Sequence, residues 1–150
     1  MYKLILLSGI SFSGAVLLNS CSKKDDTATI STPFQMAKHN FETNILDRDL
    51  VVPFAQDDGT NITIKFAGLT FHFTGNGTLT GSATAANDLL SVNGTWSMTA
   101  AYDKITFAFP TNLFPDLAFM NKEWLITSNN FPIVLTAANG ENDQLNFSPK

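Results

Sequence analysis

Leu69-Thr70-Phe71-His72-Phe73-Thr74 is the stretch whose reading decides the fold. Apolar and polar residues alternate strictly, so an extended chain puts Leu69, Phe71 and Phe73 on one side and Thr70, His72 and Thr74 on the other. That period of two belongs to a strand with one buried face. The same period returns on both sides of it. Ile62, Ile64 and Phe66 alternate with Thr63 and Lys65, and Trp96, Met98 and Ala100 with Ser97 and Thr99. Ile105, Phe107 and Phe109 alternate with Lys104 and Thr106, followed by Ile133, Leu135, Ala137, Leu145 and Phe147. Further strands are expected within Ile45–Phe54 and Trp124–Thr127. Asp57-Asp58-Gly59, Asn76-Gly77, Asn93-Gly94 and Asn139-Gly140 tolerate positive φ and read as turns between these runs. Asp103 and Asn129-Asn130 mark further corners.

One face is rich in Phe and Ile, the other in Thr, which is β-branched and suits a wet pleated surface. Strands wet on one side belong to antiparallel sheets. No long amphipathic helix and no internal repeat is visible. The expectation is therefore all-β: over residues 41–150, a single small antiparallel meander of eight or nine strands, curled into a barrel or half-barrel to hide its edges.

Composition narrows function. Of 150 residues, 44% are hydrophobic and 13 are Phe, which is enough apolar material for a core. A formal charge of −4 argues against a nucleic-acid binder, which would need a basic face. One Cys makes neither an internal disulfide nor a multi-Cys zinc site. Two His, at 39 and 72, leave little for metal or acid–base work. The acids of Asp47-Arg48-Asp49, Asp57-Asp58-Gly59, Glu141 and Asp143 lack calcium-loop spacing and read as turn or edge charges. No nucleophile elbow, zinc-binding His-Glu-x-x-His or phosphate-cradling glycine loop is present. Enzyme function is not expected, and neither is a cofactor or a bound metal.

The first residues have a different character. One Lys precedes an apolar run from Leu4 to Leu18 that is diluted by small residues. At 1.5 Å per residue it reaches about 22 Å as a helix, short of the ~30 Å hydrocarbon core, and reads as an export signal over 1–20. Leu18-Asn19-Ser20-Cys21 resembles the lipobox of bacterial lipoproteins. That resemblance implies cleavage between Ser20 and Cys21 and lipidation of Cys21. Two or more acyl chains on Cys21 would anchor the protein stably in a membrane. The following Ser22-Lys23-Lys24-Asp25-Asp26 resembles the surface-export signal of Bacteroidota lipoproteins and implies an outer-membrane location, open to the cell surface. A solvated linker is the other reading of these charges. Residues 21–40 are expected to be the lipidated Cys and a flexible tether, with Pro33 ending the polar stretch.

Phe71-His72-Phe73 running to Asn76-Gly77-Thr78, then Gly94-Thr95-Trp96, Lys122-Glu123-Trp124 and Leu145-Asn146-Phe147, are similar to lipocalin-like lipoproteins of Bacteroidota over about residues 44–150. The likeness implies a small lipocalin-like barrel, and the phenylalanine-rich inner face points to an apolar ligand at its mouth. Phe107 to Met120, broken by Pro110 and Pro115, cannot form a regular central strand. It is read either as a plug of one barrel end or as an apolar lip, in which Phe109, Leu113, Phe114, Phe119 and Met120 would touch a ligand or partner. Trp96 and Trp124 are read as core, with pocket lining as the other reading. The leading expectation is non-catalytic binding of a small apolar molecule in the barrel mouth. The alternative is a structural or partner-binding envelope module with a filled barrel.

Overall fold

In a computed structural model, which describes residues 32–75 and 79–150, the Leu69–Thr74 stretch lies in a strand and the sheet around it closes on itself. The strands are β1 (Asp49–Asp57), β2 (Thr60–Asn61), β3 (Thr70–Gly75), β4 (Thr80–Ala86), β5 (Ser91–Met98), β6 (Lys104–Ala108), β7 (Glu123–Ser128), β8 (Ile133–Ala137) and β9 (Gln144–Pro149). All pair antiparallel in chain order, except that β1 passes over the short β2 to pair with β3. β9 then returns to β1, from Leu50↔Pro149 to Gln56↔Gln144. The result is a closed eight-stranded antiparallel barrel with β2 as an added edge. Closure gives each of the eight strands a partner on both sides, the β1–β3 seam being the shortest with two paired positions.

A strand bulge tunes the closure. The register between β1 and β9 shifts between Val51 and Phe54, with Pro53 inside the shift. Proline has no N–H to give a ladder, so bulges are where it is tolerated. One extra residue also inverts the phase, so Leu50, Val52 and then Ala55 are buried, whereas unbroken alternation would bury Phe54.

The barrel is filled. Phe71, Phe73, Phe107 and Phe147 are buried at its centre, with Phe73 stacked on Phe107 at 5.3 Å and Phe147 edge-on to Phe71 and to Phe73 at 5.6 Å. An eight-stranded barrel is just wide enough for side chains to fill. Facing residues on β4 are small to make room, with Phe71 opposite Ala85 and Phe73 opposite Ala83. Each ring contributes about 3–5 kcal/mol relative to alanine.

Successive connections alternate between two ends. One, the helix end, is covered by α1 (Pro33–Asn44) and carries the loops through Tyr102 and Asn129. The other, the turn end, carries two 3-10 turns, Thr63–Phe66 and Pro115–Met120, and the hairpin tips at Asp57–Thr60, Asn87–Leu90 and 138–143.

Several expectations need correction. The tether expected over 21–40 gives way at Pro33 to α1, which starts with a capping box: Thr32 accepts from the Gln35 N–H, and the Gln35 side chain accepts from the Thr32 N–H. Pro33 at the first helical position costs nothing, because that N–H has no helical partner. Ile62, Ile64 and Phe66 do not form a strand. Ile62 and Phe66 are buried one helical turn apart, while Ile64 stands 82% exposed. The Thr63 hydroxyl accepts the Ala55 N–H and pins this turn to β1. Asn93-Gly94 is no turn but lies inside β5. A Cβ at Gly94 would meet the Ala108 carbonyl at 2.5 Å and the Phe109 ring at 2.8 Å, so this glycine serves close packing. The turn between β4 and β5 is instead Asn87–Leu90, where the Asn87 side chain accepts both the Leu89 and Leu90 N–H groups. The expected signal sequence, the Ser20–Cys21 cleavage point, lipidated Cys21 and the Asn76-Gly77 turn lie outside the described residues.

Candidate functional site

The segment singled out from its prolines closes the turn end. After Phe109, the Asn121 side chain clamps the chain: its Oδ1 accepts the Phe109 N–H at 2.7 Å and its Nδ2 donates to the Phe109 carbonyl at 2.8 Å. Pro115 then starts a 3-10 turn that buries Leu117 and Met120 completely. The half-buried Phe119 ring lies between Phe66 at 6.0 Å and Trp124 at 5.3 Å. Trp124 donates its indole N–H to the Met120 carbonyl at 2.9 Å. Lys65 and Asp116 join the two turns at 3.3 Å.

Of the residues expected to contact a ligand or partner, Phe109 and Met120 are therefore core. Phe114 and Phe119 pack half-buried against it, and Leu113 alone faces solvent. Trp96 and Trp124 are both buried, at opposite ends of the barrel. Trp96 lies under α1, edge-on to Phe41 at 5.2 Å, and donates to the Thr74 carbonyl at 2.9 Å. A Cβ at Gly81 would stand 1.9 Å from that carbonyl and 2.5 Å from the indole nitrogen, so only glycine lets Trp96 lie across β4.

Charge also collects at the turn end, where spacing gave no warning. Asp143 is only 4% exposed, and its carboxylate accepts the Asp58 N–H at 2.7 Å and the Lys122 ammonium. Lys122 also reaches Glu141 at 3.3 Å and sits over the Phe119 and Trp124 rings, 4.8 and 5.4 Å from their centroids. Burial alone would push the Asp143 carboxyl up, but the Asp58 N–H and Lys122 outweigh it and hold it below the usual carboxylate range. Burial likewise pulls Lys122 down, and Asp143 and Glu141 more than offset it, so its ammonium is raised. The arrangement joins the β1–β2 hairpin, β7 and the β8–β9 hairpin. It is a staple with both charges paired and no room for substrate between them.

His72 has an acid across the strand pair: β1 brings Asp49 opposite it, with His72 Nδ1 at 2.9 Å from Asp49 Oδ1. The pair is exposed. His39 is exposed on α1. Among the described residues no group of three or more His, Cys, Asp or Glu could hold a metal ion. Among them too, no helix is long and apolar enough to cross a membrane.

Among the described residues, two kinds of surface are candidates for binding. The first is a cleft of about 290 Å³ on the barrel wall, lined by Val51, Val52, Phe66 to Thr70, Asp88 and Lys150. It exists because β1 pairs with β3 only at Asp49↔His72 and Leu50↔Phe71, after which the chains part. The second is a set of exposed large apolar side chains, divided between the two ends. Ile64, Leu89, Leu90 and Leu113 stand at the turn end, with Leu89 at 89% exposure, while Phe34, Met36 and Phe131 stand at the helix end. No family model, curated protein or solved structure matches the chain.

Proposed function

We propose that the chain is a non-catalytic cell-envelope lipoprotein, lipidated at Cys21 and held at the outer membrane, whose filled barrel presents the turn end to a protein partner. The observation that supports this most is how closely the described inward side chains pack. The interior between the two closed ends is taken up by buried phenylalanine rings, so the apolar chemistry on offer is at loop tips. Leu89 and Leu90 occupy the tip of a hairpin whose backbone is held by Asn87, so two leucines point outward from a rigid support. Apolar anchors on rigid loops are what interface hot spots are made of.

A photo-crosslinking side chain at position 89 of the full-length protein in its own cell envelope tests the proposal, with position 97 on the barrel wall as control. The expected result is a discrete adduct from 89 and none from 97. It should be abolished by adding Leu90→Asp while the unfolding transition stays unchanged. Equal labelling at both positions, or none, overturns it.

The wall cleft supports a second reading, a small apolar ligand. Its volume is near the lower bound of about 300 Å³ for small-molecule sites, and Val52, Phe66 and Leu69 give it an apolar floor. Native mass spectrometry of the protein after incubation with envelope lipid extract tests it. An added mass that Ala67→Trp removes supports the cleft, and a clean mass excludes it.

A further inference from the structure

We propose that the helix end is a membrane-docking face, with Phe34, Met36 and Phe131 seated in the lipid headgroup region, so that the turn end points away from the bilayer. This rests on the reading of Cys21 as a lipid anchor. Phe34 and Met36 lie in the first turn of α1 and are about half exposed, although the same helix buries Phe41 completely. Phe131 belongs to the loop that α1 holds through Asn129, which takes hydrogen bonds from Asn40 at 3.0 Å and Asn44 at 2.9 Å. All three side chains therefore project from one end of the barrel on supported backbone. Phe34 is further fixed by Tyr102, edge-on at 5.6 Å.

Two observations favour lipid as the occupant. The chain joins this end directly: ten residues lie between Cys21 and Thr32, and the eleven Cα–Cα steps reach at most about 40 Å. A short linker to the bilayer raises the effective concentration of the surface to which it leads, so a contact of only three side chains becomes populated. Charge points the same way. Lys104 and Glu123 pair with each other at 2.8 Å on the wall and belong to neither end. The turn end carries Asp57, Asp58, Asp88, Asp116, Glu141 and Asp143 against Lys65 and Lys122. The helix end is nearer balance, with Lys38, Arg48 and Lys150 against Glu42, Asp47, Asp49 and Asp103. An anionic lipid surface repels the first and tolerates the second. Phenylalanine and methionine on a near-neutral face suit the boundary between headgroups and acyl chains.

The test uses full-length lipidated protein in phosphatidylethanolamine–phosphatidylglycerol vesicles with brominated acyl chains, which quench tryptophan emission on contact. Phe34→Trp and Phe131→Trp report on the helix end and Leu89→Trp on the turn end. All three positions are exposed enough to accept the ring. Emission added at 34 or 131 should be quenched at least twofold more than that added at 89. Equal or reversed quenching in vesicle-bound protein overturns the docking face and leaves the anchor standing. If wild-type protein fails to stay with the vesicles, or binds no better than Cys21→Ser, the anchor falls and the face with it.

Discussion

The two ends of the barrel are closed by different physics. At the helix end, α1 lies across the opening and is held mainly by rings: Phe41 packs on Trp96 at 5.2 Å and on Tyr102 at 6.0 Å. At the turn end two short 3-10 turns do the same work. Such turns have weak internal hydrogen bonding, and here they are held by Asn121, by the Lys65–Asp116 pair and by the Lys122–Asp143 staple. α1 carries regular helical hydrogen bonds and buries Phe41, whereas the proline-broken segment buries Leu117 and Met120 with little internal hydrogen bonding and is pinned by side-chain clamps. The ends should consequently respond differently to truncation, charge and pH.

The largest effect is expected at the turn end from Phe114→Asp combined with Phe119→Asp. Placing one carboxylate where Phe119 meets Phe66 and Trp124, and another where Phe114 packs on the core, should remove the cooperative unfolding transition at room temperature. A folded double variant with lower partner binding would instead make this segment the lip. Next comes Phe41→Ala at the helix end, with a loss of about 3–5 kcal/mol in denaturant unfolding. A loss below about 1 kcal/mol would mean that α1 is not integral to the core.

Asp143→Ala should cost about 2–3 kcal/mol, because it orphans the Asp58 N–H and leaves a partly buried Lys122 with Glu141 as its remaining carboxylate. The same group sets a pH dependence. Its carboxyl is lowered in the folded state, so its contribution is fully present above the ordinary value of 3.8 and is lost as pH falls through the lower folded value. Unfolding free energy measured between pH 5 and about 2 should fall less steeply in the variant than in the wild type, and parallel curves would contradict this. The smallest effect is Thr32→Ala, about 1 kcal/mol from loss of the capping box. It should appear as faster amide exchange in α1 with the turn end unchanged, and a uniform increase would show that the two ends unfold as one unit.

The strands that could be read from the sequence are those whose inward residues are large. Phe71 and Phe73, Ile105 and Phe107, and Ile133 and Leu135 alternate with polar neighbours and are all buried. β4 was missed because its inward positions are Ala83 and Ala85, small to fit the rings opposite, so its apolar contrast vanishes. The helix was misassigned although its signals are present, Thr32 with Gln35 three residues on and Pro33 between them. A polar neighbourhood masked a capping box. The expected site fared likewise: a run of apolar residues broken by prolines marks a special segment, but its composition does not say whether the rings point in or out.

The sequence by itself determined the architecture, because strict alternation of large apolar and polar residues leaves an antiparallel sheet few ways to bury one face. It also supplied the chemistry of the ends, apolar tips and a carboxylate surplus. Only the tertiary structure decided that the barrel is full, since that depends on how rings from β3, β6 and β9 share one axis. Only it paired Lys122 with Asp143 and His72 with Asp49, residues that are far apart in the chain and brought together by register. Burial and pairing are properties of the closed sheet. A local pattern can say which face of a strand is greasy, but which groups meet there is fixed when β9 closes against β1.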